Sequence, residues 1–312
     1  VATALVAGGP GALFWMWIAA ILGTATKYAE CMLAIKYREV SPDGHVLGGP
    51  FYTIEKGMGP KWKWLAVLFA VFGALAGIMG IGTMTQINGI TSAVNNAFDA
   101  NSSYIAFTIG EHSYTWATVI SGAIVTICTA LVVIGGIKRI SKVAEKVVPA
   151  MAVVYVFLGL SIIIMNATKL PAAFAVIFKG AFGLQAMAGG AIGAVLKFGT
   201  DAAMKSMLAG MQKGVARGIF SNEAGLGTGS IAHACADTRE PIQQGMFGIF
   251  EVFMDTIVIC TMTALVILLS GVSVPYGQAA GAELTISGFT AVYGNWVSIF
   301  TAVAMCCFAF ST

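Results

Sequence analysis

The chain is 312 residues long, 58% hydrophobic and only 10% charged, with 17 Lys and Arg against 14 Asp and Glu for a net charge of +3. A water-soluble domain carries about a quarter charged residues, so this composition argues against an aqueous globular fold. The positive balance is small and scattered, and no basic block interleaved with aromatics appears, which argues against a nucleic-acid partner.

Mean hydropathy is +0.85, and charge-free runs recur over 1–26, 64–98, 112–137, 147–168, 256–282 and 284–312. Each reaches the roughly 20 residues that cross hydrocarbon as a helix. Runs this apolar lack the alternation of a membrane barrel strand, so the sequence predicts an all-α, polytopic protein of the cell membrane, surrounded by lipid bilayer. The first helix is partial and ends near Ala7. A turn at Gly8, Gly9, Pro10 and Gly11 precedes a long second helix that reaches Tyr37. A loop rich in Pro and Gly follows, then a third helix over 64–95, a fourth over 116–134 and a fifth over 146–165. The stretch 169–212 is mildly amphipathic with scattered lysines and reads as surface helices and a re-entrant cover. A sixth helix holds a glycine run, a seventh spans 242–269 and an eighth starts near Gly294. No linker divides the chain, so one transmembrane domain is expected over 1–312. It opens in mid-pattern without a Met and stops inside an apolar stretch, and therefore reads as a fragment truncated at both ends.

Lys and Arg collect on the cytoplasmic side of short loops. Lys36, Arg38, Lys56, Lys61 and Lys63 place the loop after the second helix inside, as Lys138, Arg139, Lys142 and Lys146 do for the loop after the fourth. The connections 99–111 and 271–289 carry no Lys or Arg and belong outside. The six cysteines, Cys31, Cys128, Cys235, Cys260, Cys306 and Cys307, lie mostly in apolar stretches without C-x-x-C spacing and read as packing residues.

The most informative stretch is 222–230, Asn-Glu-Ala-Gly-Leu-Gly-Thr-Gly-Ser. Glycine weakens a helix and a carboxylate is costly in lipid, so this run reads as backbone freed to bind something. A zwitterion that sheds water in the membrane needs donors for its carboxylate and acceptors for its ammonium. Two half-helix ends offer both, and the glycines leave room only for a small ligand. Gly225, Leu226, Gly227, Thr228, Gly229 and Ser230 are therefore the candidate contacts, against the plainer reading of a Gly-rich helix contact or loop. Gln86 lies in a charge-free run and reads either as a donor to a carboxylate or as an interhelical glutamine. Arg217, Glu223, Glu251 and Asp255 need partners in the membrane. Pairing of Arg217 with Glu223 or Glu251 is expected, with cation coupling as the alternative role. Lys27 and Glu30 read as an i,i+3 pair, and His233 as a polar helix contact.

Phosphate-loop and dinucleotide signatures fail for want of a Lys and a preceding strand, and His45, His112 and His233 do not form a metal-ligand set, so an enzyme is not expected. A channel or structural membrane protein remains the competitor, because Gly73-x-x-x-Gly77 and Gly214-x-x-x-Gly218 are candidate packing faces.

Residues 8–17, 26–31, 48–57, 218–227, 231–234 and 250–256, in that order, resemble the alanine or glycine:cation symporters, also called sodium:alanine symporters. The resemblance covers the chain from end to end. It implies a LeuT-type inverted-repeat transporter fold, here running from within the first core helix to within the eighth. It also implies sodium-coupled symport of small neutral amino acids such as alanine and glycine. The broken sixth element would then be the counterpart of the first helix. The resemblance further implies a sodium site to which Ser311 and Thr312 contribute hydroxyls, the alternative being that these back-bond to their helix. Thr228, Gly229 and Ser230 depart from the Ser, Ala and Pro more usual in the family, which leaves substrate preference open.

Overall fold

Backbone in hydrocarbon must bond to itself, and helices dominate the chain accordingly. The computed structural model describes residues 1–42, 45–80, 83–99, 103–110, 112–182, 192–276, 281–294 and 296–311. In chain order these form α1 Ala2–Gly8, α2 Ala12–Tyr37, the pair β1 Glu39–Val40 and β2 Val46–Leu47, α3 Pro50–Thr53, α4 Lys63–Ile78 and α5 Thr83–Phe98. Then follow β3 Ile105–Ile109, β4 His112–Thr115, α6 Trp116–Val133, α7 Gly136–Met165, α8 Leu170–Phe182, α9 Ile192–Asn222 and α10 Thr228–His233. The last are α11 Pro241–Val252, α12 Thr261–Leu269, α13 Ala282–Tyr293 and α14 Trp296–Ser311. A π-helical stretch, Phe253–Cys260, joins α11 to α12. Among the described residues, five stretches are long and apolar enough to cross a membrane: Ala12–Tyr37, Pro60–Ile78, Trp116–Val133, Lys142–Met165 and Pro241–Leu269.

Four expectations are corrected. The third helix is not continuous: α4 stops at Ile78 and α5 begins at Thr83, with Gly80 at φ 67 in the turn between them. The stretch after Lys169 is not a set of surface pieces throughout, since α9 is a single helix of 31 residues. The fifth helix begins ten residues early, so the cationic loop after α6 is largely helical. Two short antiparallel pairs, β1–β2 and β3–β4, qualify the all-α expectation, and both fall outside the candidate spans.

Two compact units emerge, the first mainly 3–80 and 176–261, the second mainly 81–175 and 262–312. In the first, α2 is the axis. Gly214 and Gly218 of α9 let its backbone approach Ala12, Trp15, Met16 and Ala19, where a Cβ at Gly214 would lie 2.3 Å from the Ala12 carbonyl oxygen. Gly245 and Gly248 of α11 do the same beneath Tyr28 and Cys31. This is the small-residue packing that substitutes for a hydrophobic driving force in lipid. Gly73 and Gly77, by contrast, face open space. Phe14 lies edge-on to Phe178 and Phe182 at 5.7 and 4.8 Å, tying α8 to the start of α2.

In the second unit, α5 packs with α6, α13 and α14, burying Ile90, Ala93 and Ile286. Tyr155 of α7 shares a 2.7 Å hydrogen bond with Thr263 and lies 5.4 Å from the Phe289 ring. Thr115 caps α6: its hydroxyl accepts from the Thr118 N–H at 3.3 Å and donates to Asn95 at 2.8 Å. Large apolar side chains of α4 and α6 point outward, Ile78 at 83% exposure. Such faces are stable against acyl chains and unstable against water.

Candidate functional site at the break between α9 and α10

Helix α9 ends at Asn222 because the next residues leave helical space. Glu223 sits at φ 54 although it is not a glycine, and Gly225 and Gly227 follow at φ 89 and 80. Local side chains fix the turn. Asn222 Oδ1 accepts the Ala224 N–H at 3.1 Å, Thr228 Oγ1 donates to Glu223 Oε2 at 3.0 Å, and Ser230 Oγ donates to the Gly227 carbonyl at 2.7 Å. Gly227 also has no room for a side chain, since a Cβ there would lie 2.8 Å from Pro50 Cγ and 2.9 Å from Phe69 Cζ. Gly227, Gly229 and Ser230 are buried, whereas Gly225, Leu226 and Thr228 face outward.

Both open helix ends are held by α2. The Lys27 ammonium, in a residue only 1% exposed, donates to the Asn222 carbonyl at 3.1 Å and pairs with Glu251 Oε1 at 3.1 Å. One turn along α2, Glu30 Oε1 accepts the Gly227 N–H at 3.0 Å. Among the described residues Glu30 Oε2 is buried and has no hydrogen-bond partner. The ammonium fits because position 229 lacks a side chain: a Cβ at Gly229 would lie 2.8 Å from Lys27 Nζ. The opposite charges match the partial charges of the helix ends they meet.

From Glu251 the network continues. Its Oε2 lies 2.9 Å from His233 Nε2, and His233 Nδ1 lies 2.6 Å from Gln244 Nε2. With Gln244 donating to Nδ1, the ring carries its proton on Nε2 and donates to Glu251. A second chain runs from Asn222 Nδ2 to Thr256 Oγ1 at 3.2 Å and from Thr256 Oγ1 to Asp255 Oδ2 at 2.9 Å, with Ser221 also donating to Asp255. Asp255 and Thr256 lie in the π-helical stretch, where the wider turn redirects them. Beyond α10, Arg38 donates to three carbonyls, those of Ala234 and Ala236 at 2.7 Å each and of Thr238 at 2.6 Å. Burial pushes the Cys235 thiol above its ordinary value, against the opposing pull of the Arg38 charge.

These contacts correct the charge pairing expected from the sequence. Arg217 pairs with neither Glu223 nor Glu251. Its guanidinium lies 5.6 Å from the Phe220 ring centroid. Lys27 takes Glu251, 224 positions along the chain, in place of Glu30. Of the candidate residues, Arg217, Glu223, Gly225–Ser230, Glu251 and Asp255 lie in the first unit, and Gln86 lies half-buried on α5 of the second. Thr312 and the side chain of Ser311 lie outside the described residues. Asn222, Gln244 and Thr256 escaped the sequence reading. Their signal is faint: each sits beside another polar residue, and nothing in the local pattern says which of the two turns inward.

The model of the sodium:alanine symporter family matches residues 1–312. The chain is 43% identical over 313 residues to an uncharacterized transporter of Haemophilus influenzae, and covers all of this chain and 62% of that protein. It is 42% identical over 316 residues to the sodium/alanine symporter AgcS of Methanococcus maripaludis, again with 100% and 62% coverage. It is 38% identical over 311 residues to the probable sodium/glutamine symporter GlnT of Bacillus subtilis, with 99% and 57% coverage. The chain thus spans about three fifths of the length of the relatives it matches.

Proposed function

Since the chain belongs to the sodium:alanine symporter family, we propose that within its full-length protein it carries small neutral amino acids across the cell membrane together with sodium, by alternating access through a LeuT-type fold. It is a multi-pass membrane transporter and not an enzyme. The observation that carries the proposal is the family match over every residue. The broken helix, with its exposed turn and glycine-lined ends, supports it. The ligands are an amino acid, sodium and the surrounding lipid.

In this reading Gln86 donates to the substrate carboxylate, and Gly225, Leu226, Gly227, Thr228, Gly229 and Ser230 bound a space for a small side chain. Any zwitterion that used the helix ends of the break would have to displace Lys27 from the Asn222 carbonyl and Glu30 from the Gly227 N–H. Sodium is a hard cation that prefers oxygen. Ser311 and Thr312 are one proposed oxygen pair. A second proposed set is the Asp255 carboxylate with the Thr256 and Ser221 hydroxyls, which suit such an ion. Glu251 is a further candidate for this role, although in this structure its two oxygens face Lys27 and His233. Alanine and glycine are taken as the substrates in this reading because Gly227 and Gly229 are closely packed, by Pro50 and Phe69 and by Lys27. The relatives divide on this point, one named for alanine and another for glutamine.

The test is sodium-driven uptake and counterflow of labelled alanine in liposomes holding the full-length protein, with glycine and glutamine as competitors. Accumulation against a gradient only when sodium is present is expected. Flux that neither saturates nor concentrates would favour the second reading, a channel or structural protein, for which the packed Gly214 and Gly218 are the supporting observation. Gln86→Ala should weaken alanine affinity by about 1–3 kcal/mol, the usual range for a hydrogen bond to a charged group. Asp255→Asn and the pair Ser311→Ala with Thr312→Ala should be compared by titrating alanine affinity against sodium, because two ligands that favour one conformation are reciprocally linked.

A further inference from the structure

Lys27 and Glu30 lie one turn apart on α2, and each grips one side of the same break. The cation takes the carbonyl end of α9, and the anion takes the N–H at the start of α10. Between them the backbone is strained at Glu223, which holds φ 54 without being a glycine, while Gly225 and Gly227 take positive φ freely. A backbone of this kind persists only where its surroundings over-determine it. The ammonium also reaches Glu251 of α11, whose second oxygen reaches His233 at the end of α10, so α2, α9, α10 and α11 are joined through a few polar atoms. The grip is incomplete on one side. Among the described residues Glu30 Oε2 is buried without a partner, so this carboxylate is only half satisfied by them where it sits and gains by moving to an arrangement that bonds both oxygens.

We propose that Lys27 and Glu30 form a latch across the α9–α10 break. They are positioning residues that hold the turn 223–227 against α2 in the conformation described and release it in another step of the transport cycle. Only the release rests on the transport reading. The fastening stands on the geometry alone.

The reporter is Ala224→Cys, at a position 7% exposed within the turn, in full-length protein whose native cysteines have all been replaced. The readout is its reaction rate with a small water-soluble maleimide, which requires no substrate. Lys27→Met and Glu30→Leu should each raise the rate by about tenfold or more, the effect of losing one charge-assisted hydrogen bond from the closed state. Glu30→Gln keeps an acceptor for the Gly227 N–H and should stay within about twofold of the parent. If Lys27→Met proves too unstable to purify, Glu251→Gln withdraws the countercharge of the ammonium and should raise the rate in the same direction. Rates within twofold of the parent in both Lys27→Met and Glu30→Leu overturn the latch. So does an equal rise in Glu30→Gln and Glu30→Leu. In transport assays Lys27→Met should lower the maximal sodium-driven rate with little change in KM, because the latch acts on the exchange between states. A wild-type full-length protein that takes up no amino acid with sodium would overturn the transport reading, and the thiol rates would still decide the latch.

Discussion

Gly229 lies directly over the Lys27 ammonium, and this single contact shows how much of the site depends on atoms that are not there. A methyl at position 229 would come within 2.8 Å of Nζ and push the ammonium off both the Asn222 carbonyl and Glu251. Gly229→Ala should therefore destabilise the full-length protein by about 1–3 kcal/mol, read as a lower Tm in detergent. The same substitution at Gly73, which faces open space, should be neutral or slightly stabilising. At this scale the sequence revealed the unusual residues and missed their partners. Helical spacing brings Lys27 and Glu30 together on paper because they are three apart, while the partner Lys27 adopts is far away in the chain and on another helix. Periodicity carries no information about such pairs. Arg217 was expected to need a carboxylate, and a phenyl ring beside it on the same helix serves instead.

Among the elements, the long apolar helices were legible and their interruptions were not. The seventh span was placed within a residue of Pro241–Leu269, because an uninterrupted apolar run has one solution in lipid. The π-helical stretch inside it leaves no mark in hydropathy, yet it sets where Asp255 and Thr256 point. The stop between α4 and α5 could have been read from Gly77, Gly80 and Gly82, which weaken a helix, but charge-free sequence on both sides concealed it. Two element ends offer tests. Thr115→Ala removes the cap of α6 together with the bond to Asn95, and should cost about 1–2 kcal/mol in thermal unfolding, while Thr115→Ser should recover most of it. Arg38→Ala frees the carbonyls of Ala234, Ala236 and Thr238 together, so the segment after α10 should become a site of rapid proteolytic nicking in the native protein.

For the whole molecule, composition alone identified the solvent, and motif order alone identified the family. The contacts around the α9–α10 break lay deeper, because they depend on which residues from distant parts of the chain converge. Orientation remains a prediction from charge: a cysteine at Ser41 should react with an impermeant reagent only from the cytoplasmic side and one at Ser103 only from outside. The latch also has a history in the making of the protein. Lys27 and its Asn222 carbonyl are 195 residues apart, so at about 5–20 residues per second the ribosome finishes α2 roughly 10–40 s before that partner exists. During that interval the ammonium and the carboxylate of α2, three residues apart, have only each other as partners, and a charge at the centre of a membrane helix costs about 2.5–3.5 kcal/mol to insert. The insertion machinery must therefore shelter α2 until the later helices emerge. Chains stalled on the ribosome before Asn222 has left the exit tunnel should still crosslink to that machinery through α2, and chains stalled well beyond Glu251 should have let it go.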